Sequence, residues 1–404
     1  MTGKSTLLDI DLAGKTALVR VDYNVPFHPS TTEISDDSRI VASLPTLRYL
    51  IDQKCRVVLC SHLGRPNGAV TDGLHMAPVS KRLSELLDKQ VSQLHECVGP
   101  NVHAAVRAME PREVIMLENL RFHKGEEAND ISFAHDLSSV ADVYVNDAFG
   151  VAHRAHASTA GVARFLPAVA GLLMQRELKY LGVALGSPRR PFVAILGGAK
   201  VSDKITALRN LGGKVDSLLI GGGMAATFLR ARRISVGKSE VEENLVNIAT
   251  DVIAGARKRG VEILLPVDVV LAANFSAEAE YRVADVNDIP ETWRIMDIGP
   301  RTIETYERVL DLARTIIWNG PLGVHEWDNF AKGTTRVAKK LSRMKNATTL
   351  LGGGSTAEAI IALGLAREMT HVSTGGGASL ELLEGKTLPG VAALMDREGT
   401  ESTT

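Results

Sequence analysis

The sequence lacks any uncharged apolar run long enough to span a bilayer, and its first residues contain no apolar segment typical of a secretory signal. Cysteine is scarce: Cys55, Cys60 and Cys97 show no metal-type spacing. An odd cysteine count without a signal peptide indicates reduced thiols, so we expect a cytoplasmic protein. The net charge of −1 and the absence of a basic tail argue against a nucleic-acid or membrane partner.

Composition instead indicates a globular chain, with 45% hydrophobic and 23% charged residues. Its 404 residues are too many for one ordinary core, so two domains are expected. Short apolar segments rich in β-branched residues alternate with helical patterns, which is typical of parallel sheets covered on both faces. We therefore predict an α/β fold of two doubly wound, Rossmann-like, three-layer α/β/α domains with mainly parallel sheets. The predicted strands cover residues 16–21, 56–60, 113–117, 142–146, 191–196, 216–220, 261–266, 314–319 and 347–351.

A helical pattern near the middle of the chain predicts a connection between the two domains. The segment LLMQRELKYLGVAL has helical apolar spacing, and glycine and proline flank it on both sides. We expect this helix to be a hinge. The first domain is then predicted to cover residues 1–170, and the second, starting with the helix, residues 171–387.

Polar and largely cationic residues follow the predicted strands of the first half. Ligands of doubly wound sheets bind beyond the carboxyl ends of the strands. Arginine binds carboxylates and phosphates in two-point geometry, so several arginines there indicate a small, highly anionic ligand, although one alone is more often a surface salt bridge. Catalysis by a histidine base is the weaker hypothesis, because anion binding alone explains His62. The candidate residues are Asp22, Asn24, Arg39, His62, Arg65, Arg121 and Arg154.

Glycine clusters follow the strands of the second half instead. Glycine has no Cβ, so its backbone can approach a phosphate closely, and the turn Gly352–Gly354 offers free N–H groups at the positive end of a helix. Five clusters in one half-chain predict several loops around one nucleotide. Lys200 and Lys204 are four residues apart, so we expect them on one helix face, near its N-terminal end and within reach of phosphates. The clusters cover residues 196–204, 220–228, 318–326, 351–359 and 373–381.

Two other nucleotide-binding motifs fit less well. Residues 13–16, 236–239 and 384–387 look like the end of a P-loop, but the required earlier glycine is replaced by Asp9, Arg232 and Leu380. Residues 221–226 and 352–357 fit a loose dinucleotide fingerprint. A dinucleotide oxidoreductase therefore stays a minor alternative.

Ten motifs together closely resemble the phosphoglycerate kinase family. The motifs occur in the same order as in the family, from about residue 8 to about residue 395. Agreement of so many motifs over this span is not explained by chance. It implies a monomeric two-domain enzyme that reversibly transfers the acyl phosphate of 1,3-bisphosphoglycerate to Mg-ADP, giving 3-phosphoglycerate and ATP, on domain closure. The motifs are RVDYNVP, DDSRI, SHLGRP, LENLRFH, NDAFGVAHRAH, GGAKVSDK, IGGGMAATFL, DIGP, WNGPLGV and STGGGASLELLEGKTLPGV.

The resemblance also implies roles for individual residues. The cationic residues of the first half fall at the family's glycerate-binding positions, and the C-terminal tail, residues 388–404, is expected to pack back on the first domain. Arg39, Lys200, Gly354 and Gly376 are implied in stabilising the transferring phosphoryl group. The implied nucleotide-binding residues are Lys200, Lys204, Gly221, Gly222, Gly299, Asn319, Pro321, Glu326, Gly352, Gly353, Gly354, Ser355 and Thr356.

Ser355 departs from the family pattern, which usually has an aspartate there that helps to hold the nucleotide's Mg²⁺. Three outcomes stay open: looser but sufficient metal binding by Ser355, substitution by another acid, or reduced catalysis. Serine is also a good helix N-cap, which is a purely structural interpretation of this position. A nucleotide-binding protein without turnover is therefore the second alternative. A smaller departure is His325, where the family commonly has an aromatic residue.

Overall fold

The computed structural model describes residues 3–29 and 31–397, and the chain divides into two units. The first unit contains the residues up to Lys179 and those from Thr387 onward, and the second contains Tyr180–Lys386. The division falls inside a helix, nine residues beyond the boundary predicted at residue 170 (179 − 170). Which ligand each unit holds stays a prediction.

Strands and helices alternate in the first unit. Its strands are β1 (Thr16–Arg20), β2 (Arg56–Cys60), β3 (Val91–Gln93), β4 (Val114–Met116), β5 (Val143–Asn146) and β6 (Ala168–Ala170). Its helices are α1 (Ser38–Asp52), α2 (Ala77–Leu87), α3 (Pro100–Arg107), α4 (Lys124–Glu127) and α5 (Ile131–Ser138).

The strands of the first unit form a parallel sheet that is buried on both faces. Within the described residues, its order is β3-β4-β2-β1-β5-β6. Ala17 and Val19 of β1 belong to one apolar cluster, whereas Leu18 between them points to the opposite face and is equally buried. Because β1 lies between β2 and β5, the strand order reverses at β1, where doubly wound sheets bind ligands.

The helix α6 (Leu172–Gly186) begins in the first unit, where side chains of that unit bond its free N–H groups. Asp147 Oδ1 accepts from the backbone N–H of Leu173 at 2.9 Å, and Thr46 Oγ1 accepts from that of Leu172 at 2.9 Å. Asp147 is fully buried, and burial raises the pKa of its carboxyl group to about 6. Its carboxyl group therefore fixes the start of the predicted hinge helix.

The second unit has the same alternation with an additional group of strands. Its strands are β7 (Phe192–Leu196), β8 (Ser217–Ile220), β9 (Glu262–Leu264), β10 (Asp268–Ala272), β11 (Tyr281–Asp285), β12 (Arg294–Ile298), β13 (Thr315–Asn319), β14 (Thr348–Gly352) and β15 (His371–Val372). Its helices are α7 (Ile205–Leu211), α8 (Met224–Ala231), α9 (Val246–Lys258), α10 (Pro300–Leu312), α11 (Lys332–Ser342), α12 (Gly354–Ala362) and α13 (Gly376–Leu383).

Two sheets occur in the described part of the second unit. The parallel sheet has the order β15-β14-β13-β7-β8-β9, so the order reverses at β7. Phe192 and Ala194 of β7 pack in one apolar cluster, and Val193 and Ile195 pack in another, so this sheet also has a core on each face. Strands β11-β10-β12 form a small antiparallel sheet that the sequence did not predict. The predicted fold class, two doubly wound units with mainly parallel sheets, is confirmed.

Residues 387–397 lie on the first unit and contain the short helix α14 (Pro389–Ala392). The backbone N–H of Gly390 donates to Ala152 O at 2.8 Å, and the N–H of Met395 donates to Ala168 O at 2.9 Å. Residues 398–404 of the predicted tail lie outside the described residues. Among the helices of residues 3–29 and 31–397, none has the length and apolarity needed to cross a membrane.

Candidate active site

The first unit brings its charged candidates to one edge of its sheet. Strands β4, β2, β1 and β5 are neighbours, and the carboxyl ends of parallel strands meet at the same edge. Asp22 follows β1 and His62 follows β2, while Arg39 lies in the first turn of α1. Arg39 Nη1 donates to Asp22 Oδ2 at 2.6 Å, although 38% of the arginine side chain stays exposed. The pair orients Arg39 and leaves part of its guanidinium group accessible.

His62 lies among four arginines. Its side chain is nearly buried, and burial together with the charges of Arg20, Arg121, Arg39 and Arg154 holds the pKa of the imidazole well below its usual value. The ring is therefore neutral at physiological pH, and four guanidinium groups lie close enough to act on it. A neutral ring surrounded by cations is suited to an anionic ligand.

The loop after β2 is held on both sides by other candidate residues. The backbone N–H of Gly64 donates to Asn24 Oδ1 at 2.9 Å, and Arg121 Nη1 donates to Gly64 O at 2.6 Å. Gly64 has a φ of +64°, a conformation that glycine adopts without strain. The next residue, Arg65, is exposed and forms no hydrogen bond or ion pair within residues 3–29 and 31–397. Its guanidinium group is therefore available to a ligand.

In the second unit, the glycine loops contact each other directly. Gly198 N–H donates to Pro321 O at 2.8 Å, and Gly222 N–H donates to Leu322 O at 2.8 Å. A Cβ on Gly197 would lie 2.1 Å from Pro321 O, and a Cβ on Gly222 would lie 2.6 Å from the backbone of Gly198. Packing between loops therefore requires glycine at both positions, independently of any phosphate.

Lys200 and Lys204 do not share a helix face, so that prediction is wrong. The chain turns at residues 201–204, and α7 begins only after Lys204. The carboxylate of Glu242 accepts from the backbone N–H groups of Val201 at 2.6 Å and Ser202 at 3.0 Å. These two bonds hold the turn, with Lys200 exposed before it and Lys204 partly buried after it.

Lys204 and Asn319 form a polar pair beside the triple-glycine turn. Lys204 Nζ donates to Asn319 Oδ1 at 2.7 Å, and burial lowers the pKa of the lysine, while the charge of Asp203 acts in the opposite direction. Asn319 is 2% exposed, and its Nδ2 has no hydrogen-bond partner among the residues that the structure describes. A Cβ on Gly353 would lie 3.3 Å from Nδ2, so this unsatisfied donor lies at the turn. A buried donor without a partner is expensive unless a ligand supplies the acceptor.

The triple-glycine turn joins a strand to a helix as predicted, but Ser355 is not the N-cap of that helix. Gly353 has a φ of +91° and is the N-cap of α12, which begins at Gly354, so the interpretation of Ser355 as the N-cap is wrong. Ser355 lies exposed in the first helical turn. Thr356 is buried, and its Oγ1 accepts from the N–H of Gly320 at 2.7 Å.

Two helices begin close together at this turn. A Cβ on Gly376, the first residue of α13, would lie 3.6 Å from the backbone nitrogen of Gly354, the first residue of α12. The first N–H groups of a helix have no intrahelical partner, and the helix dipole makes this end positive. Both helix starts can therefore donate to the same anion.

The remaining nucleotide candidates lie in other loops. Gly299 follows β12, and a Cβ there would lie 2.3 Å from the carboxyl carbon of Asp268. Glu326 is 62% exposed and lies 3.1 Å from Nδ1 of His325. Gly221 follows β8, where a Cβ would meet the side chain of Leu322. Roles for these three residues stay predictions.

Comparison with known proteins gives the family. A family model described as phosphoglycerate kinase matches residues 7–386. The chain belongs to the phosphoglycerate kinase family. The phosphoglycerate kinases of Moorella thermoacetica and Chloroflexus aurantiacus are each 54% identical to it, over 394 and 399 residues, covering 98% of this chain and 100% of theirs.

Solved structures of phosphoglycerate kinases have the same fold as this chain. The structure from Coxiella burnetii matches with a TM-score of 0.88 at 40% identity, covering 96% of this chain and 98% of that one. The structure from Pyrococcus horikoshii matches with a TM-score of 0.84 at 34% identity and the same coverage. The predicted resemblance is confirmed, and the dinucleotide oxidoreductase alternative has no support.

Sequence reasoning missed a buried ion network in this phosphoglycerate kinase fold. Arg20 is 1% exposed, and its Nε donates to Ser158 Oγ at 2.8 Å. Ser158 in turn donates to Glu126 Oε1 at 2.6 Å, and His156 Nδ1 lies 3.6 Å from the same oxygen. Burial raises the pKa of Glu126, but His156, Arg20 and Ser158 outweigh burial and hold it below its usual value. The available signal was an arginine inside the apolar strand TALVRV.

Proposed function

We propose that the chain is an active phosphoglycerate kinase. It transfers the acyl phosphate of 1,3-bisphosphoglycerate to ADP, giving 3-phosphoglycerate and ATP, and catalyses the reverse reaction. The observation that carries this proposal is the arginine group around neutral His62 at the strand-order reversal of the first sheet. Family membership over residues 7–386 supports the same reaction.

The first unit is proposed to bind the glycerate. Its ligand carries a phosphate and a carboxyl or acyl phosphate group, and arginine forks match both groups. Asp22 orients Arg39, and Arg121 and Asn24 hold the Gly64 loop, which places Arg65 beside the site. The proposed glycerate-binding residues are Asp22, Asn24, Arg39, His62, Arg65, Arg121 and Arg154.

The second unit is proposed to bind the nucleotide. Lys204 and Asn319 Nδ2 supply donors beside the triple-glycine turn, and the exposed Lys200 supplies a further positive charge. Gly221, Gly222 and Gly299 are proposed to lie around the adenine, and Pro321 and Glu326 around the rest of the nucleoside. The proposed phosphate-binding residues are Lys200, Lys204, Asn319, Gly352, Gly353, Gly354, Ser355 and Thr356.

Phosphoryl transfer needs alignment and neutralisation of charge rather than covalent help from the protein. Arg39 and Lys200 are proposed to neutralise the phosphoryl group, and the N–H groups at Gly354 and Gly376 to donate to its oxygens. Because the two ligands are assigned to different units, domain closure stays a predicted step. Closure would also exclude water from the reactive acyl phosphate.

The residues at the start of α12 fit a magnesium ion held mainly by nucleotide phosphates. Mg²⁺ prefers oxygen ligands, keeps several waters and commonly takes only one or two protein carboxylates. Ser355 offers a hydroxyl, and Glu358 Oε1 lies 3.7 Å from the position of a Cβ on Gly354. These two residues are the proposed protein ligands. Mg²⁺ held there would neutralise part of the charge of the nucleotide phosphates.

Steady-state ATP formation from 1,3-bisphosphoglycerate and Mg-ADP tests the proposal. We expect turnover in the unaltered protein and a loss of roughly 100- to 1000-fold in kcat for Arg39→Ala, because one donor to the transition state is removed. Arg48→Ala is the matched control, since Arg48 is exposed on the same helix α1 and, within residues 3–29 and 31–397, bonds only Leu86 O. Absence of turnover with ADP still bound would favour the non-catalytic alternative. The monomeric state and a cytoplasmic location stay predictions.

A further inference from the structure

Arg20 is fixed by contacts at all three of its guanidinium nitrogens. Nε donates to Ser158 Oγ at 2.8 Å, and Nη1 donates to the backbone oxygen of Val21. Nη2 lies 3.2 Å from Nδ1 of His62. The side chain is 1% exposed, so water does not compete for these contacts. The position of the guanidinium group relative to the imidazole is therefore well determined.

The chemistry of this contact decides where the imidazole proton lies. A guanidinium group carries only donors, so Nδ1 of His62 accepts the hydrogen bond and has no proton of its own. Asp22 Oδ1 is the competing partner, but it lies 3.9 Å from Nδ1, beyond hydrogen-bond distance. Asp22 also accepts from Arg39 through its other oxygen. The single proton of the neutral ring must then be on Nε2.

We propose that Arg20 is a positioning residue, which holds His62 as the neutral Nε2–H tautomer and thereby presents one N–H donor to the anionic glycerate. This inference rests on the proposed function for the identity of the ligand, but not for the tautomer. Nε2 of His62 has no hydrogen-bond partner within the described ranges 3–29 and 31–397. The donor is left for a ligand.

Glu126 makes a buried arginine tolerable at this position. It is fully buried, and its charge acts on Arg20, while its oxygens accept from the backbone N–H of Ser158 at 2.9 Å and from the hydroxyl of Ser158 at 2.6 Å. A buried charge is stable when it is paired and hydrogen-bonded. The network behind His62 therefore supplies a fixed donor to Nδ1 of the ring.

Nitrogen NMR of the histidine side chains in the ligand-free full-length protein tests the tautomer directly. The His62→Gln variant identifies the His62 signal by its loss. His75 is an internal comparison, because its Nδ1 lies 2.8 Å from Glu118 Oε2, an acceptor, and must carry a proton. We expect a protonated Nε2 and an unprotonated Nδ1 for His62 at neutral pH, and a protonated Nδ1 for His75. A protonated Nδ1 on His62, as the other tautomer or as imidazolium, would overturn the proposal.

Arg20→Lys tests the consequence for binding. Lysine keeps the charge beside Glu126 but cannot contact Ser158 and His62 with two nitrogens at once. We expect the KM for 3-phosphoglycerate to rise roughly tenfold, the effect of about one hydrogen bond, with the KM for ATP unchanged. A changed tautomer with an unaltered KM for 3-phosphoglycerate would refute the positioning role. If Arg20→Lys does not fold, Ser158→Ala, which removes only the acceptor at Nε, provides the comparison.

If the unaltered protein shows no turnover, the proposed function fails independently of the NMR result. The tautomer can still be read in that case, because the spectrum needs no substrate. A Nε2–H signal without turnover would keep the role of Arg20 in orienting His62, and would remove only the catalytic function that the site is proposed to serve.

Discussion

Replacing Asn319 by alanine should separate ligand binding from stability. In the free protein two effects oppose each other. Losing the hydrogen bond from Lys204 should lower the free energy of unfolding. A bond to a charged group contributes about 1.5–3 kcal/mol, and this one contributes less because Lys204 is only partly buried. Removing the buried Nδ2, which has no acceptor, should stabilise the free protein by roughly 1–3 kcal/mol. The free energy of unfolding is therefore expected to change by less than about 1 kcal/mol.

The nucleotide complex should behave differently, because Nδ2 is expected to donate to a phosphate oxygen there. Loss of one hydrogen bond to a charged group costs about 1.5–3 kcal/mol, which corresponds to a roughly 10- to 100-fold weaker Kd for Mg-ADP. Calorimetric titration measures the affinity, and denaturant unfolding of the free protein measures the stability.

Asn210→Ala is the matched control in the same unit. Asn210 Nδ2 donates to Leu383 O at 2.6 Å, so its loss should lower stability by about 1 kcal/mol without changing nucleotide affinity. The opposite result for Asn319→Ala would be a loss of several kcal/mol of stability with Mg-ADP bound as tightly as by the unaltered protein. That result would make Nδ2 part of the structure of the free protein.

Two further predictions concern Ser355 and Asp297. Ser355→Asp adds a carboxylate to the first turn of α12, so ATP formation should reach its half-maximal rate at a lower Mg²⁺ concentration. A Mg²⁺ titration of both proteins measures this. The same Mg²⁺ requirement in both would mean that residue 355 does not bind the metal. Burial raises the pKa of Asp297 to about 7, although backbone N–H groups act against it. The folded protein then keeps a proton that the unfolded chain loses above about pH 4. Relative to Asp297→Asn, stability should therefore fall by a few kcal/mol as pH rises through this window to about 7. Denaturant unfolding at about pH 5 and about pH 8 measures this difference, and an equal difference between the two proteins at both pH values would contradict it.

The parallel sheets could be predicted because their signals are local. Runs such as TALVR and RVVLC read as strands without knowledge of their partners, and the strand-end rule then located Asp22 and His62. β3 was missed because Val91–Gln93 has only one apolar residue, so it shows no apolar run of the kind that identified the equally short β4 and β9. The exposed strand β11 likewise presents no continuous apolar run.

Contacts between distant residues limited the rest of the prediction. The turn after Lys200 depends on Glu242, whose carboxylate binds backbone N–H groups 40 and 41 residues earlier. The four-residue spacing of Lys200 and Lys204 gave no indication of the contact with Glu242. The tolerance of Arg20 similarly depends on Glu126, which is brought close only by folding. A charged residue inside an apolar strand was visible in the sequence, but its partner was not.

The path of the chain through the two units has a consequence for its biosynthesis. The first unit is interrupted after Lys179 and resumes at Thr387, so all of the second unit is translated before the first can be completed. The backbone carbonyl of Gly390 accepts from Asn146 at the end of β5, and Met395 bonds Ser5 and Ala168. A ribosome-bound chain therefore has a continuous second unit able to fold first. The first unit gains these contacts only after residues 387–397 emerge from the ribosome.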